Sequence, residues 1–338
     1  MNYWLSWIVT MGMACLTAGL SAQPFEGKSE DYHRADSIAA AYADYPLADV
    51  RDLSLKLTKP FTRERDKYRA IFRWVCDNIR SDYKLYCKVK QIRKRYQSDP
   101  ASLAISSQKI NKQVFTHLRE KRSTICTGYA YLLNSLAQHA GLTCRIVDGY
   151  ARTAITNLEG SGYPNHSWNA IRIDNQWYLS DPTWASGNTY EPMGIFIPRF
   201  SESYFLVPPP LFAHSHFPLD TAQLLLRDKP RLSDFLSAPL AYAASYEYAL
   251  SMVTPRQFFL TITKEQSLSI TVKQECGKPF QKLSLKVNDS EVVVLQVDTI
   301  NPVESVYTLT HTFLTRGYAA LHILVDGKPA YSFSVKVK

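Results

Sequence analysis

Cys126, His166 and Asp181 are the residues of this chain whose types and order could do chemistry together. Cys126 lies in Thr124-Ile125-Cys126-Thr127-Gly128-Tyr129-Ala130, His166 in Asn165-His166-Ser167-Trp168-Asn169, and Asp181 in Leu179-Ser180-Asp181-Pro182-Thr183-Trp184. A thiol, an imidazole and a carboxylate are the parts of an activated cysteine nucleophile. The thiol attacks a carbonyl, the imidazole takes and returns the proton, and the carboxylate fixes the imidazole tautomer. Each residue alone has a plainer use. A lone Cys is most often a small buried hydrophobe, a His beside Trp a packing residue, and an Asp before Pro a turn or cap. The combination, in this order and context, outweighs those uses.

The elements that must position these groups can be read from spacing. Ala130, Leu133, Leu136, Ala137 and Ala140 recur at helical intervals after Cys126, and Gly141 ends the run. Cys126 is therefore expected in or just before the first turn, where free amides and the helix dipole favour a thiolate. Trp168 to Ile173 and Gln176 to Ser180 read as two strands around the turn Asp174-Asn175. That register sets Ile173 opposite Gln176 and Trp168 opposite Asp181. His166 shares a face with Trp168, so His166 and Asp181 become diagonal neighbours.

These segments resemble the transglutaminase-like superfamily, a branch of the papain-like cysteine enzyme fold. Its pattern is Cys-x-Gly-Tyr-Ala at a helix start, then His-x-Trp-Asn, then Asp-x-Thr-Trp, and all three stand here. Arg69 to Val75 and Asn78 to Tyr83 resemble the helix that opens the family's core. Tyr204-Phe205-Leu206, His216 to Asp220 and Gln223-Leu224-Leu225 resemble the subgroup that includes kyphoscoliosis peptidase and related cytokinesis proteins. The resemblance runs from about Tyr32 to Leu240. It implies an α+β fold, with helices packed on an antiparallel sheet and, in that subgroup, often a β-domain behind. It implies Cys126 as nucleophile, His166 as base and acid, and Asp181 as the orienting carboxylate. Reaction type is less specific: members cross-link glutamine to amines, hydrolyse peptides, deamidate or deglycosylate, and some are inactive scaffolds. One departure stands before the nucleophile, where Thr124-Ile125 replaces the usual Gly-Val or Gly-Ala pair. By analogy the amide of Cys126 is the backbone oxyanion donor.

The length of 338 residues suggests two domains, and the 46% hydrophobic content suits a chain with real cores. Leu5 to Ala22 is apolar and uncharged, and is followed by a polar stretch, as in a secretory signal peptide. The expected organisation is a signal peptide at 1–22, a transglutaminase-like catalytic domain at 23–245 and an immunoglobulin-like β-sandwich at 246–338. The protein is thus expected to be secreted, or periplasmic at the cell envelope, with no stable membrane span after signal cleavage. A retained anchor and lipidation at Cys15 are the competing uses of the leader. Removing the leader leaves Cys76, Cys87, Cys126, Cys144 and Cys276, an odd number that fits at least one free thiol. Cys76 and Cys87 could pair only if the helix carrying Cys76 ends near Asp82, since on one straight helix they would be about 16 Å apart, and no disulfide is expected. No CxxC, HExxH or EF-hand-like spacing occurs, so neither a metal nor another cofactor is expected.

The net charge of +9 is partly concentrated in the run Lys88, Lys90, Arg93, Lys94 and Arg95. Such a run is usually a solvated face; its functional use would be attraction to an acidic substrate or cell-envelope polymer. Nucleic acid is a poor fit, because no recognised binding motif accompanies it. Upstream, helices are expected over 37–45, 47–57 and 63–79. Lys84 to Lys112 reads as a basic insertion, and Thr156 to Pro164 as a loop bordering the site. His214 and His216, in a Pro-rich and aromatic stretch, read as packing at a domain seam. Beyond Met252 seven short strands are expected, from Phe258 to Val337. The expectation is an exported cysteine enzyme that acts on peptide or amide bonds of a protein or peptide, with hydrolysis favoured over cross-linking. Its rival is a non-catalytic cell-surface protein that uses the same cleft and β-domain for binding.

Overall fold

The computed structural model describes residues 31–96, 98–154, 156, 164–274, 278–296 and 305–338. The leader, Cys15, Cys276 and most of the 156–164 loop lie outside the described residues. No helix among them is long and apolar enough to cross a membrane.

The first half is helical: α1 (His33–Ala41), α2 (Val50–Thr58), α3 (Glu64–Asn78), α4 (Tyr83–Arg95), α5 (Pro100–Lys121) and α6 (Cys126–His139). Short strands β1 (Arg80–Ser81) and β2 (Ser123–Thr124) pair in parallel and tie the end of α3 to the start of α6. Aspartates start several of these helices. Asp49, Asp82 and Asp99 each accept the amide three residues on, which satisfies a donor that the helix itself leaves free. The basic stretch after Asp82 forms the hairpin of α4 and α5. Leu85, Val89, Ile110 and Val114 form its buried seam, at helical spacing that the surrounding charge obscures in the sequence.

The core sheet is antiparallel, in the order β5–β4–β3–β8, from β3 (Thr143–Ala151), β4 (His166–Ile173), β5 (Gln176–Ser180) and β8 (His216–Pro218). The β4–β5 hairpin has the expected turn: Asp174 and Asn175 take φ of 49° and 65°, and Ile173 faces Gln176. Between β5 and β8 run α7 (Pro182–Ser186), the ribbon β6 (Gly187–Tyr190) and β7 (Ile195–Pro198), and α8 (Pro209–Phe212). Helix α6 crosses β3 and β4. Trp74, Leu133, Leu136, Ala170 and Ile171 are buried between helices and sheet, and each large side chain so covered contributes about 1.5–3 kcal/mol.

A connection with α9 (Leu232–Ser237), β9 (Leu240–Ala241) and α10 (Ala243–Glu247) leads to the β-sandwich. Its strands are β10 (Leu250–Thr254), β11 (Phe259–Ile262), β12 (Ser267–Gln274), β13 (Lys282–Val287), β14 (Ser290–Gln296), β15 (Ser305–Thr312), β16 (Gly317–Val325) and β17 (Lys328–Val337). One sheet runs β10–β12–β15; the other runs β11–β17–β16–β13–β14, with β9 also on β17. Strands β11 to β17 are the seven expected; β9 and β10 are additional. The architecture is an α+β core of helices on an antiparallel sheet followed by a β-sandwich, as expected.

Candidate active site

Cys126 is the first residue of α6, with Ile125 extended at the N-cap. Its amide heads the helix, where no intrahelical acceptor exists, and so stays available as a donor. Two glycines make this local geometry possible. A Cβ on Gly128 would stand 1.9 Å from Thr124 Oγ1, so the turn after the thiol closes only over a glycine. A Cβ on Gly149 would stand 2.2 Å from Phe217 O and 2.6 Å from Trp168 Cη2, so β8 can pair with β3 only because Gly149 lacks one.

His166 opens β4 and Asp181 follows the end of β5. His166 Nε2 and Asp181 Oδ2 are 2.7 Å apart, so the diagonal pairing read from the hairpin holds. The β4 strand is pinned at both ends of this region. Asn165 exchanges two hydrogen bonds with the backbone of Ala151, and Asn169 Nδ2 donates to Ala130 O of α6 at 2.9 Å. The second of these docks the hairpin on α6. Asp181 Oδ1 caps α7, accepting from the amides of Thr183 (2.8 Å) and Trp184 (3.1 Å). The Trp184 ring then lies tilted against His166, 5.3 Å between centroids.

The charges on these groups follow from burial and pairing. Burial pushes the Cys126 thiol up, but the hydrogen bond and charge of His166 outweigh it. Arg93 and the Ser167 amide add to them, and the thiol settles at about 7. Burial opposes the His166 imidazolium, yet Asp181 and then Cys126 hold the ring up at about 10. Burial also opposes the Asp181 carboxylate, but His166 and His216 hold it well below the usual range. The three groups titrate as a set, and at neutral pH they favour a thiolate–imidazolium pair backed by a carboxylate.

His216 is the functional residue that sequence reasoning missed. It was read as seam packing, yet β8 carries it into the site, where its Nε2 lies 3.2 Å from Asp181 Oδ2. It is fully buried, stacked on Phe212 (3.9 Å) and tilted against Trp184 (4.5 Å). Burial pushes it down to about 4, so the ring is neutral at pH 7. A neutral ring that faces a carboxylate must turn its N–H to it. Nδ1 is then the acceptor, and Ser215 Oγ donates to it at 2.7 Å. Tyr246 OH donates to Ser215 Oγ in turn. A donor chain Tyr246–Ser215–His216 therefore ends on Asp181. The only sequence signal was the placement of His216 in the subgroup-like segment. His214, by contrast, does sit at the seam, with Nδ1 3.0 Å from Tyr331 OH of β17.

His166, Asp181 and His216 also bring ligand atoms within 4.8 Å of one another. The donor chemistry does not suit an ion. Asp181 Oδ2 already takes both Nε2–H groups, and each ring would have to lose that proton to ligate. Cys76, Cys87, Cys126 and Cys144 are all free thiols. Of the basic run, Arg93 bears electrostatically on Cys126.

A thiol at a helix start, an imidazole and carboxylate on a docked hairpin, and a helix-on-antiparallel-sheet core define a transglutaminase-like domain. Residues 51–182, the stretch that carries Cys126, His166 and Asp181, match the family model of the transglutaminase-like superfamily. The chain is similar to kyphoscoliosis peptidase. It is 30% identical to the Mus musculus protein over 235 residues, which are 68% of this chain and 32% of that one. It is 30% identical to the Homo sapiens protein over 174 residues, 50% of this chain and 23% of that one. Hillarin of Drosophila melanogaster is 22% identical over 257 residues, 70% of this chain and 28% of its own length. The chain thus spans a third or less of these curated relatives.

Proposed function

We propose that this protein is an exported cysteine-dependent enzyme that acts on peptide or amide bonds through Cys126, His166 and Asp181. The observation that carries the reading is the buried His166–Asp181 pair, 2.7 Å apart, whose imidazole bears on the thiol at the start of α6. The thiolate attacks the amide carbonyl, and the oxyanion is met by the Cys126 amide. The His166 imidazolium gives its proton to the departing amine, leaving a thioester. Water then gives a proton to His166 as it attacks the thioester, and the acid and thiolate are released. A lysine amine in place of water would give a cross-link. Hydrolysis is favoured, because nothing in the sequence identifies an amine-binding site. The substrate is a protein or peptide, and export rests on the leader-like composition of residues 1–22.

One observation favours a second reading, a cell-surface protein that binds partners without turnover. Cys126 is 6% exposed and His166 8% exposed, so a substrate must find a closed site. Alkylation separates the two. Cys126 is expected to react with iodoacetamide much faster than Cys76 or Cys144, with a midpoint near neutral pH. Cys126→Ser is expected to abolish hydrolysis of peptide libraries while the thermal midpoint stays unchanged. A thiol that alkylates no faster than the buried cysteines would defeat the enzymatic reading. Incorporation of a primary amine instead of water would overturn the preference for hydrolysis.

A further inference from the structure

The formal charge of the protein is localised. Residues 83–121, which form α4, α5 and their connection, hold ten Lys and Arg against Asp99 and Glu120, a net +8 of the chain's +9. Lys84 and Lys88 stand one turn apart on α4, and Lys109 and Lys112 one turn apart on α5. With Lys121 they line one open cleft of about 750 Å³. Among the described residues none of these five lysines has a carboxylate partner; Lys88 Nζ donates to the neutral Gln113 Oε1 at 2.9 Å. The one acid in the wall, Asp82, is already engaged. Its Oδ1 accepts from Leu85 N at 2.9 Å and its Oδ2 meets His117 Nδ1 at 2.8 Å. The cleft therefore concentrates uncompensated positive charge.

The same hairpin is built into the active site. Ile125, the residue before the nucleophile, packs among Leu85, Val89, Ile110 and Val114. At about 100° per residue, Arg93 lies about 140° round α4 from Lys88. One flank of α4 thus carries the arginine that favours the Cys126 thiolate, and another carries the lysines of the cleft.

We propose that the α4–α5 cleft is an exosite for an acidic polypeptide, a run of Asp and Glu that docks while another part of the same chain reaches Cys126. The proposal rests on the acyl-transfer reading in taking the docked chain as substrate. Lysine ammonium groups on flexible stems suit carboxylates spaced irregularly along a chain. No Phe, Tyr or Trp among the described residues lines the cleft, so it lacks the stacking platforms of a single-stranded nucleic acid site. Its concave shape does not suit a flat membrane surface.

The test is fluorescence anisotropy of fluorescein-labelled octaglutamate with the full chain carrying Cys126→Ala. Binding is expected at about 50 mM salt and is expected to weaken steeply as salt rises. The triple variant Lys84→Glu, Lys109→Glu and Lys112→Glu should bind about tenfold or more weakly. Glu and Lys have similar helix propensity, and circular dichroism checks the fold. Should that variant misfold, Lys109→Gln with Lys112→Gln gives a milder test, with an expected loss of about threefold or more. Equal affinity in wild type and folded variants overturns the exosite, as does no binding by the wild type. Tighter binding of a labelled single-stranded oligonucleotide or phosphatidylserine vesicles, lost in the variants, overturns the polypeptide assignment. The readout needs no turnover. Its failure leaves the acyl-transfer reading intact, and inactivity of Cys126 would leave an octaglutamate signal in place.

Discussion

Replacing His216 measures how far the reactivity of the thiol is set by a ring that never touches it. The Asp181 carboxylate accepts four hydrogen bonds, two amides on Oδ1 and two imidazoles on Oδ2. His216→Ala removes one of these from a buried charge, at a cost of about 1.5–3 kcal/mol. At about 1.4 kcal/mol per pH unit, that corresponds to one to two pH units if the loss falls on the catalytic set. The sign follows from what the bond supports. Without His216 the carboxylate is held from behind at Oδ1 alone and Oδ2 can swing off the His166 ring, so the imidazolium is stabilised less and the thiolate loses part of its counter-charge. The Cys126 midpoint, at about 7 in the intact protein, should therefore rise by about one to two pH units. Alkylation near pH 7 should slow by about tenfold, and the wild-type and variant rates should converge at high pH. The assay is the rate of iodoacetamide labelling from pH 5 to 10, followed by peptide mass spectrometry because three other described cysteines are free. His216→Gln, whose amide can donate to the same oxygen, should restore part of the shift. A folded His216→Ala protein with an unmoved midpoint would refute the reasoning, because loss of packing alone predicts lower stability but no change in thiol titration.

Two further outcomes follow from the same geometry. Asp181→Asn should be severe, not mild: all four groups around the carboxylate are donors, so the amide NH₂ must face either two backbone N–H groups or two imidazole N–H groups. It should lose about 2–3 kcal/mol of stability in urea unfolding as well as nearly all turnover; an active protein of unchanged stability would show that a ring tautomer adapts. Gly128→Ala should destabilise by about 1–3 kcal/mol through the contact with Thr124 Oγ1. Thr124→Ala should recover most of that in a double-mutant cycle, and additive effects would place the strain elsewhere.

Local patterns made most of the triad legible. The two-residue turn at Asp174-Asn175 fixes the β4–β5 register, and that register brings His166 to Asp181. The apolar spacing after Cys126 fixes α6. His216 was not legible because nothing local places it. Its position depends on β8 pairing with β3, far back in the chain, and on Gly149 admitting that strand. The α4–α5 hairpin was hidden differently. Its apolar seam is regular, but few apolar residues stand among many charges, so composition suggested a basic insertion and not a packed helical hairpin. Strand β9 has only Leu240 and Ala241, too short to show any period.

Strand β9 and helix α10 give the junction of the two domains a practical meaning. β9 adds to the sandwich through β17, while Tyr246, a few residues on, donates through Ser215 towards the Asp181 carboxylate. Tyr331 of β17 reaches back to both His214 and the carbonyl of Leu250. A cut placed at 245 to isolate the core would remove Tyr246 and Tyr331 together and leave His214 and Ser215 without those partners. An excised core would thus carry a complete triad whose supporting donor chain has lost its first member. For anyone engineering this protein, the sandwich is to be treated as part of the scaffolding around Asp181 and not as a detachable tail.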